Sequence, residues 1–181
     1  GDVKLGDVTI GQTIGGARGI KSLVTDISYL DPFEGIRFRG MTIPETFEAL
    51  PKVPGSDYPY VEGFWYLLLT GDVPTMDQTL EVVEEWKTLS QIPAYVIDVL
   101  RALPRDSHPM AMFSAAIVAM QRDSIFSNNY AAGKFNKMTC WEDMYDDCNT
   151  LMAKLGPIGA YIYRMKYKGY THIAADPELD M

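Results

Sequence analysis

Apolar and polar positions follow two different periods along this chain. Residues 8–10 and 23–30 are rich in β-branched and apolar side chains, and residues 36–39 alternate apolar with charged side chains, which predicts strands. Residues 31–35 read DPFEG, and the Pro and Gly of this stretch favour a tight turn. The second and third strands are therefore expected to form a hairpin.

After the hairpin the apolar positions recur at the three- and four-residue intervals of an α-helix. We therefore predict a β/turn segment over residues 1–40 and the first part of a helical domain over residues 41–181. Helix starts and ends are marked by local signals. These signals are the pairs Thr42–Glu45, Thr75–Gln78 and Thr139–Glu142, a start at Pro93, a helix over residues 124–132, and stops at Gly71 and Gly133.

The stretch from His108 to Gln121 is apolar at almost every position after Pro109. Pro109 suits the first turn of a helix, because its missing N–H would be unpaired there anyway. A helix with no polar side is expected to be buried all round. We predict the central helix of a helical core or of a subunit interface.

The helix that begins after Thr139 has the clearest amphipathic pattern. Its apolar positions form one stripe, which comprises Trp141, Met144, Tyr145, Cys148, Leu151, Met152 and Leu155. The stripe is expected to pack on apolar partners, while Asp143, Asp146 and Asp147 form a solvated face. Gly156-Pro157 should break or kink this helix.

Composition narrows the class of protein. Hydrophobic residues make up 47% and charged residues 22% of the 181, as in a folded globular protein. The net charge of −8 argues against general affinity for nucleic acid or an anionic membrane. Two cysteines, Cys140 and Cys148, are too few for a disulfide scaffold and fit a reducing compartment. We interpret both as ordinary thiols.

One glycine-rich segment could bind an anion. Residues 15–22, GGARGIKS, nearly match a phosphate-binding P-loop, but Ile20 separates Gly19 from Lys21 and no helix pattern follows. Arg18 among glycines still lets a guanidinium and the backbone approach an anion. The alternative is a plain glycine turn.

The other titratable residues do not form a recognisable active site. His108 stands at the start of a helix, where a hydrogen-bonded structural histidine is the expected role. His172 lies in a polar tail and is expected to be inert. No histidine or cysteine joins the aspartates in a metal-ligand pattern, so we expect no metal site.

Several strings, in order along the chain, resemble the citrate synthase family in the form found in mitochondria. They are GGARGIKSLV, LDPFEGIRFRGMTIPE, LLLTGDVPT, LPRDSHPMAMFSAAIVAM, WEDMYDDCNTLMAKLGPIGAYIYR and AADPELDM. The resemblance implies a multi-helical large domain. It implies condensation of acetyl-CoA with oxaloacetate and water to give citrate and CoA in the tricarboxylic acid cycle of the mitochondrial matrix. No metal or prosthetic group is implied, since CoA enters as a substrate.

The resemblance places the catalytic residues, two histidines and an aspartate, beyond this chain. The 181 residues correspond to less than half of a family member, so we expect them alone to be inactive. Arg18 falls on a family arginine that contacts CoA phosphates. A second family arginine, which reaches CoA on the opposite subunit, falls at Asn136 or Lys137. Lys137 would keep the charge but lose the bidentate geometry of arginine.

The resemblance also implies a homodimer. In the family, the helices that match residues 108–121 and 139–155 pack against their copies in the second subunit. Two alternatives remain open for the function. One is a citrate-synthase-like structural or filament-forming scaffold, and the other is a 2-methylcitrate synthase that uses propionyl-CoA.

Overall fold

The computed structural model of the chain describes residues 2–4, 6–17, 19–20, 24–169, 173 and 176. This part of the chain is mainly helical and includes one small sheet. The strands are β1 (Ser28–Asp31), β2 (Gly35–Phe38) and β3 (Met41–Thr42). The helices are α1 (Ile10–Ile14), α2 (Ile43–Ala49), α3 (Val61–Thr70), α4 (Met76–Leu89), α5 (Ala94–Ala102), α6 (Pro109–Met120), α7 (Ile125–Ala131) and α8 (Cys140–Tyr167), with a 3₁₀ turn at Gln121–Asp123.

The predicted hairpin is confirmed. β1 and β2 pair antiparallel, with Ser28 opposite Phe38 and Asp31 opposite Gly35, and β3 extends the sheet on the far side of β2. Asp31 closes the turn, because its Oδ1 accepts from the backbone N–H groups of Glu34 (2.9 Å) and Phe33 (2.8 Å). These bonds stabilise the ionised carboxylate and lower the pKa of Asp31. The strand predicted over residues 23–30 is shorter in the structure, since β1 begins at Ser28 and residue 23 lies outside the described residues.

The strand predicted over residues 8–10 is wrong, because the segment begins a helix. The Thr9 hydroxyl accepts from the N–H of Gln12 (3.2 Å), and the Gln12 side chain accepts from the N–H of Thr9 (2.9 Å). This reciprocal capping starts α1, none of whose residues is buried. Local hydrogen bonds outweigh the β preference of Val8 and Ile10, which pair with no strand among the described residues.

Most other local signals give the expected helices. Thr42–Glu45 and Thr75–Gln78 form complete capping boxes at the starts of α2 and α4. Gly71 ends α3 with a φ of +87°, a conformation that favours glycine. The pair Thr139–Glu142 is the exception, since Thr139 precedes α8 without a side-chain cap. The first N–H of α8, from Cys140, instead donates to the carbonyl of Asn136 (2.9 Å).

Arg39 fastens the sheet to the end of α3. Its Nε and Nη2 donate to the carbonyl of Leu68 (3.1 and 2.6 Å), and Nη2 also reaches the carbonyl of Leu69 (3.1 Å). These carbonyls belong to the last turn of a helix and have no intrahelical partner. The arginine therefore satisfies the helix terminus and fixes the position of the hairpin.

The main apolar core lies between α5, α6 and the second half of α8. Its buried members come from all three helices. They are Val96, Leu100, Met112, Ala116, Ile158, Tyr161, Ile162 and Met165. α6 is therefore held on one side by this chain's own core.

A second buried contact joins α3, α4 and the first half of α8 through a polar residue. The Asn149 side-chain oxygen accepts from the indole N–H groups of Trp65 (2.9 Å) and Trp86 (3.2 Å). The two indole rings lie 6.0 Å apart between their centroids. Trp86 and Asn149 are almost fully buried and Trp65 is half-buried, so the shared acceptor satisfies at least the Trp86 donor away from water.

One expectation about burial is wrong for the single chain: α6 is not buried all round, since Met110 is 61% and Val118 is 72% exposed. The packing of the predicted α8 stripe on apolar partners stays a prediction, since in the single chain Trp141 is 62% and Met144 is 50% exposed. The buried residues of α8 are Asn149, Ala153, Lys154, Ile158, Tyr161, Ile162 and Met165. They form a different face, which the sequence pattern alone would assign to solvent at Asn149 and Lys154.

α8 does not break at Gly156-Pro157, which was one of the two outcomes predicted there. It is assigned as one helix of 28 residues with Pro157 inside it. Ile158, directly after the proline, is fully buried in the main core. Tertiary packing on α5 and α6 offsets the backbone hydrogen bond that proline cannot donate.

Candidate functional site

The glycine-rich segment begins directly after α1. Here the N–H of Ala17 donates to the carbonyl of Gln12 (2.8 Å), and the N–H of Ile20 donates to the carbonyl of Ala17 (3.2 Å). The N–H groups of Gly15 and Gly16 likewise donate to carbonyls of α1. These four amides are thus used within the chain, unlike the free amides of a P-loop. Arg18, the predicted phosphate contact, lies outside the described residues, as do Lys21 and Ser22.

Lys137 lies in the turn between α7 and α8. Its neighbour Asn136 is held in place, because the Asn136 side-chain oxygen accepts from the N–H of Met138 (2.9 Å). Lys137 itself is exposed, and its ammonium group makes no hydrogen bond or ion pair with any residue that the structure describes. Of the two positions that could replace the family arginine, Lys137 is the one that presents a cation to solvent.

An aromatic cluster supports this turn. The ring of Phe135 lies 5.6 Å from that of Tyr130 and 6.1 Å from that of Phe126, both edge-on, and Phe126 stacks on Tyr130 at 6.3 Å. Aromatic pairs at these separations attract each other beyond their burial. The backbone two residues before Lys137 is therefore anchored to α7.

Asp147 fastens α7 to α8. Its carboxylate accepts from the Ser124 hydroxyl (2.6 Å) and from the N–H groups of Ile125 (2.8 Å) and Phe126 (3.1 Å). Asp143, one turn earlier, accepts from the side-chain amide of Asn129 (2.9 Å). The predicted solvated aspartate face is therefore wrong for these two residues. Their partners lie 14 to 23 positions earlier in the chain, beyond the reach of any local pattern.

The remaining titratable candidates have structural surroundings. His108 caps α6, as expected, since its Nδ1 accepts from the N–H of Met110 (3.2 Å). His172 lies outside the described residues. Cys140 and Cys148 are both free thiols. In the part of the chain that the structure describes, no three His, Cys, Asp or Glu side chains come together as metal ligands.

Two apolar faces remain uncovered in the single chain. The α6 face consists of Met110, Ala111, Ser114 and Val118, and the α8 face consists of Trp141, Met144, Tyr145 and Cys148. Scattered exposed apolar residues are ordinary, but a row of them along one side of a helix marks an interaction surface. Among the described helices, none is long and apolar enough to cross a membrane.

The chain is similar to known citrate synthases in sequence. The family model "Citrate synthase, C-terminal domain" matches residues 16–181. The mitochondrial citrate synthase of Xiphias gladius is 45% identical over 181 residues, which cover 99% of this chain and 38% of that protein. The mitochondrial citrate synthase of Aspergillus niger is 45% identical over 168 residues, 93% of this chain and 35% of that protein.

Solved structures show the same fold. The citrate synthase of Pyrobaculum aerophilum matches with a TM-score of 0.73 at 24% identity, over 92% of this chain and 39% of that chain. The enzyme of Thermoplasma acidophilum, solved as a ternary complex with carboxymethyl coenzyme A and oxaloacetate, matches with a TM-score of 0.63 at 25% identity, over 85% of this chain and 36% of that chain. The present chain spans less than two fifths of the length of each of these four proteins. Because the family model matches residues 16–181, far more than half of the chain, the chain belongs to the citrate synthase family.

Proposed function

We propose that the full-length protein condenses acetyl-CoA with oxaloacetate and water to give citrate and CoA, and that it does so in mitochondria. The observation that carries this proposal is the 45% identity to mitochondrial citrate synthases across nearly the whole chain. In the mechanism implied by the family, a base removes a methyl proton of acetyl-CoA and the enol attacks the ketone of oxaloacetate. The residues for that chemistry are assigned to the part of the protein beyond this chain. No metal or prosthetic group enters the proposal.

This chain would contribute contacts to the phosphates of CoA. Arg18 matches one phosphate-binding arginine of the family, and Lys137 stands where a second one is expected. The exposed ammonium of Lys137, which pairs with none of the residues that the structure describes, supports its assignment over Asn136, whose side chain is bonded within the turn. A lysine binds phosphate as a point charge, so a weaker contact is expected than from a bidentate arginine.

The chain would also supply much of a homodimer interface. The α6 face and the α8 face are the surfaces that support this proposal, because each is an exposed apolar row on a long, well-formed helix. Ala111 and Ser114 are small, which lets a second helix approach closely. In such a dimer Lys137, which precedes α8, would lie next to the second subunit.

The experiment is a CoA-release assay of the full-length protein with oxaloacetate and either acetyl-CoA or propionyl-CoA. Turnover with acetyl-CoA is expected to exceed turnover with propionyl-CoA. The reverse preference would identify a 2-methylcitrate synthase. Absence of turnover together with assembly into sedimentable filaments would support the scaffold alternative.

The phosphate contacts are tested in the same assay. Arg18→Ala should raise the KM for acetyl-CoA about ten- to a hundred-fold, as expected for one lost charge-assisted contact, and leave the KM for oxaloacetate nearly unchanged. Lys137→Ala should act in the same direction. Lys134→Ala is the matched control, since Lys134 is an exposed lysine three residues earlier in the same segment. An unchanged acetyl-CoA KM would remove the substituted residue from the site.

A further inference from the structure

A cavity of about 470 Å³ lies between the ends of α4 and α6, the start of α5 and the middle of α8. Lys137 is not among the residues that line it. Much of its wall is hydrocarbon, contributed by Leu89, Pro93, Ile117, Met120 and Leu151. Its volume lies within the range of pockets that bind small organic molecules, roughly 300–1,000 Å³.

One wall of this cavity carries a buried ammonium group. Lys154 is only 9% exposed, and its Nζ donates to the carbonyl of Leu89, the last residue of α4. An ammonium has three N–H donors, so this neutral carbonyl leaves two of them available. No carboxylate among the described residues lies within ion-pair distance of Lys154. Burial lowers the pKa of Lys154, and the more distant charge of Asp123 opposes that shift without cancelling it.

The two acidic residues that line the cavity are engaged elsewhere. Asp147 accepts three hydrogen bonds at the start of α7, and the N–H groups there stabilise its negative charge. Asp123 accepts from the Tyr95 hydroxyl (2.6 Å) and lies 3.9 Å from the guanidinium of Arg122. The charge that lacks a close counter-ion inside the cavity is therefore the positive charge of Lys154.

We propose that this cavity binds an amphiphilic monocarboxylate, with the carboxylate on Lys154 and the hydrocarbon part against Leu89, Ile117 and Leu151. A buried charge is costly unless it is paired, and a ligand carboxylate supplies both the counter-ion and the missing acceptors. A hydrocarbon tail matches the remaining wall, which offers little to a ligand that is polar throughout. Because Lys137 does not line this cavity, the proposed ligand is an effector or a structural ligand rather than a substrate.

The direct test is calorimetric titration of the full-length protein with octanoate, octan-1-ol and octylamine. Octanoate should bind about ten- to a hundred-fold more tightly than octan-1-ol, because only the carboxylate forms a charge-assisted hydrogen bond. Equal affinity for the acid and the alcohol would overturn the role of Lys154. No detectable binding of octanoate, or tighter binding of octylamine, would overturn the site itself.

Three variants, one of them a control, test the role of Lys154 and the location of the ligand. Lys154→Met should remove the preference for octanoate over octan-1-ol, while Lys87→Met, at a lysine paired with Glu84 on the surface, should leave it intact. Ile117→Trp keeps the ammonium but fills the cavity, and it should reduce binding of both molecules. Should Lys154→Met fail to fold, the acid–alcohol comparison and Ile117→Trp still decide the question. Octanoate binding unaffected by Ile117→Trp would place the ligand outside this cavity.

Discussion

The indole N–H of Trp86 donates to the side-chain oxygen of Asn149 at 3.2 Å, across the contact between α4 and α8. The same oxygen accepts from Trp65 of α3 at 2.9 Å. Three helices thus meet at a single acceptor, which fixes the rotation of α8 about its own axis. Because Asn149 points into the protein, the neighbouring α8 face, which includes Trp141 and Cys148, must point outward.

Asn149→Leu should therefore destabilise the protein by roughly 2–4 kcal/mol, because two indole donors lose their acceptor and each unsatisfied donor costs about 1–3 kcal/mol. Urea unfolding of the full-length protein measures the effect. Asn128→Leu is the control, since Asn128 is exposed and its amide donates to one carbonyl on the surface. A loss of stability no larger than that of the control would mean that the shared acceptor contributes little.

Arg39→Lys tests the link between the sheet and α3. Lysine keeps the charge but cannot reproduce the forked contact with the carbonyls of Leu68 and Leu69, so a loss of about 1.5–3 kcal/mol is expected. Arg37→Lys, at an exposed arginine paired with Glu34, should cost at most about 1 kcal/mol. The two variants are compared by chemical denaturation. Equal losses of stability would show that the contact of the Arg39 guanidinium with the α3 carbonyls contributes no more than a surface ion pair.

Lys154 predicts a specific dependence of stability on pH. Burial lowers its pKa in the folded state below the ordinary value of 10.5, so between the folded and unfolded pKa values the unfolded chain binds more protons. The contribution of Lys154 to the free energy of unfolding therefore rises with pH between its folded and unfolded pKa values. Below the folded pKa this contribution is constant. Thermal melts of wild type and Lys154→Met from about pH 7 to pH 11 should show wild type gaining relative to the variant as pH rises. Parallel curves would contradict a buried, charged lysine.

The two sides of α6 should respond differently to a charge. Ala116 is fully buried in the chain's own core, so Ala116→Glu should cost several kcal/mol and prevent folding. Val118 is 72% exposed in the single chain, so Val118→Glu should leave the fold intact and weaken the proposed dimer. Circular dichroism and analytical ultracentrifugation separate the two effects. A dimeric, fully stable Val118→Glu protein would exclude the α6 face from the interface.

The sequence predicted those features whose causes are local. Thr42, Thr75 and Gly71 mark helix ends through bonds that span three or four residues, and the structure confirms each of them. The DPFEG turn is equally local. Family membership and fold were also predicted from the sequence, although through resemblance rather than through periodicity.

Features that depend on distant partners were missed. The apolar stripe of α8 was identified correctly as a pattern, but periodicity does not say whether a stripe meets the same chain or another one. The sequence pattern gives no sign of the roles of Asn149 and Lys154, because their partners lie 63 to 84 positions away. It places Asp147 on a solvated face, because the partners of Asp147 lie 21 to 23 positions away. The family resemblance pointed to Asn136 or Lys137 as the second phosphate contact. The choice of Lys137 depends on the geometry of the turn, in which the Asn136 side chain is already bonded.

The bond between Asp147 and Ser124 closes a loop of the chain at its base, since the two residues are 23 positions apart and touch at 2.6 Å. Everything between them, including α7 and the turn with Lys137, is carried as a unit on the side of α8. Because that base is fastened independently of the tip, residues can be exchanged, added or removed at the turn without altering how α8 sits in the core. We therefore expect the length and the side chains of this turn to be changeable by mutation while the helical scaffold stays in place.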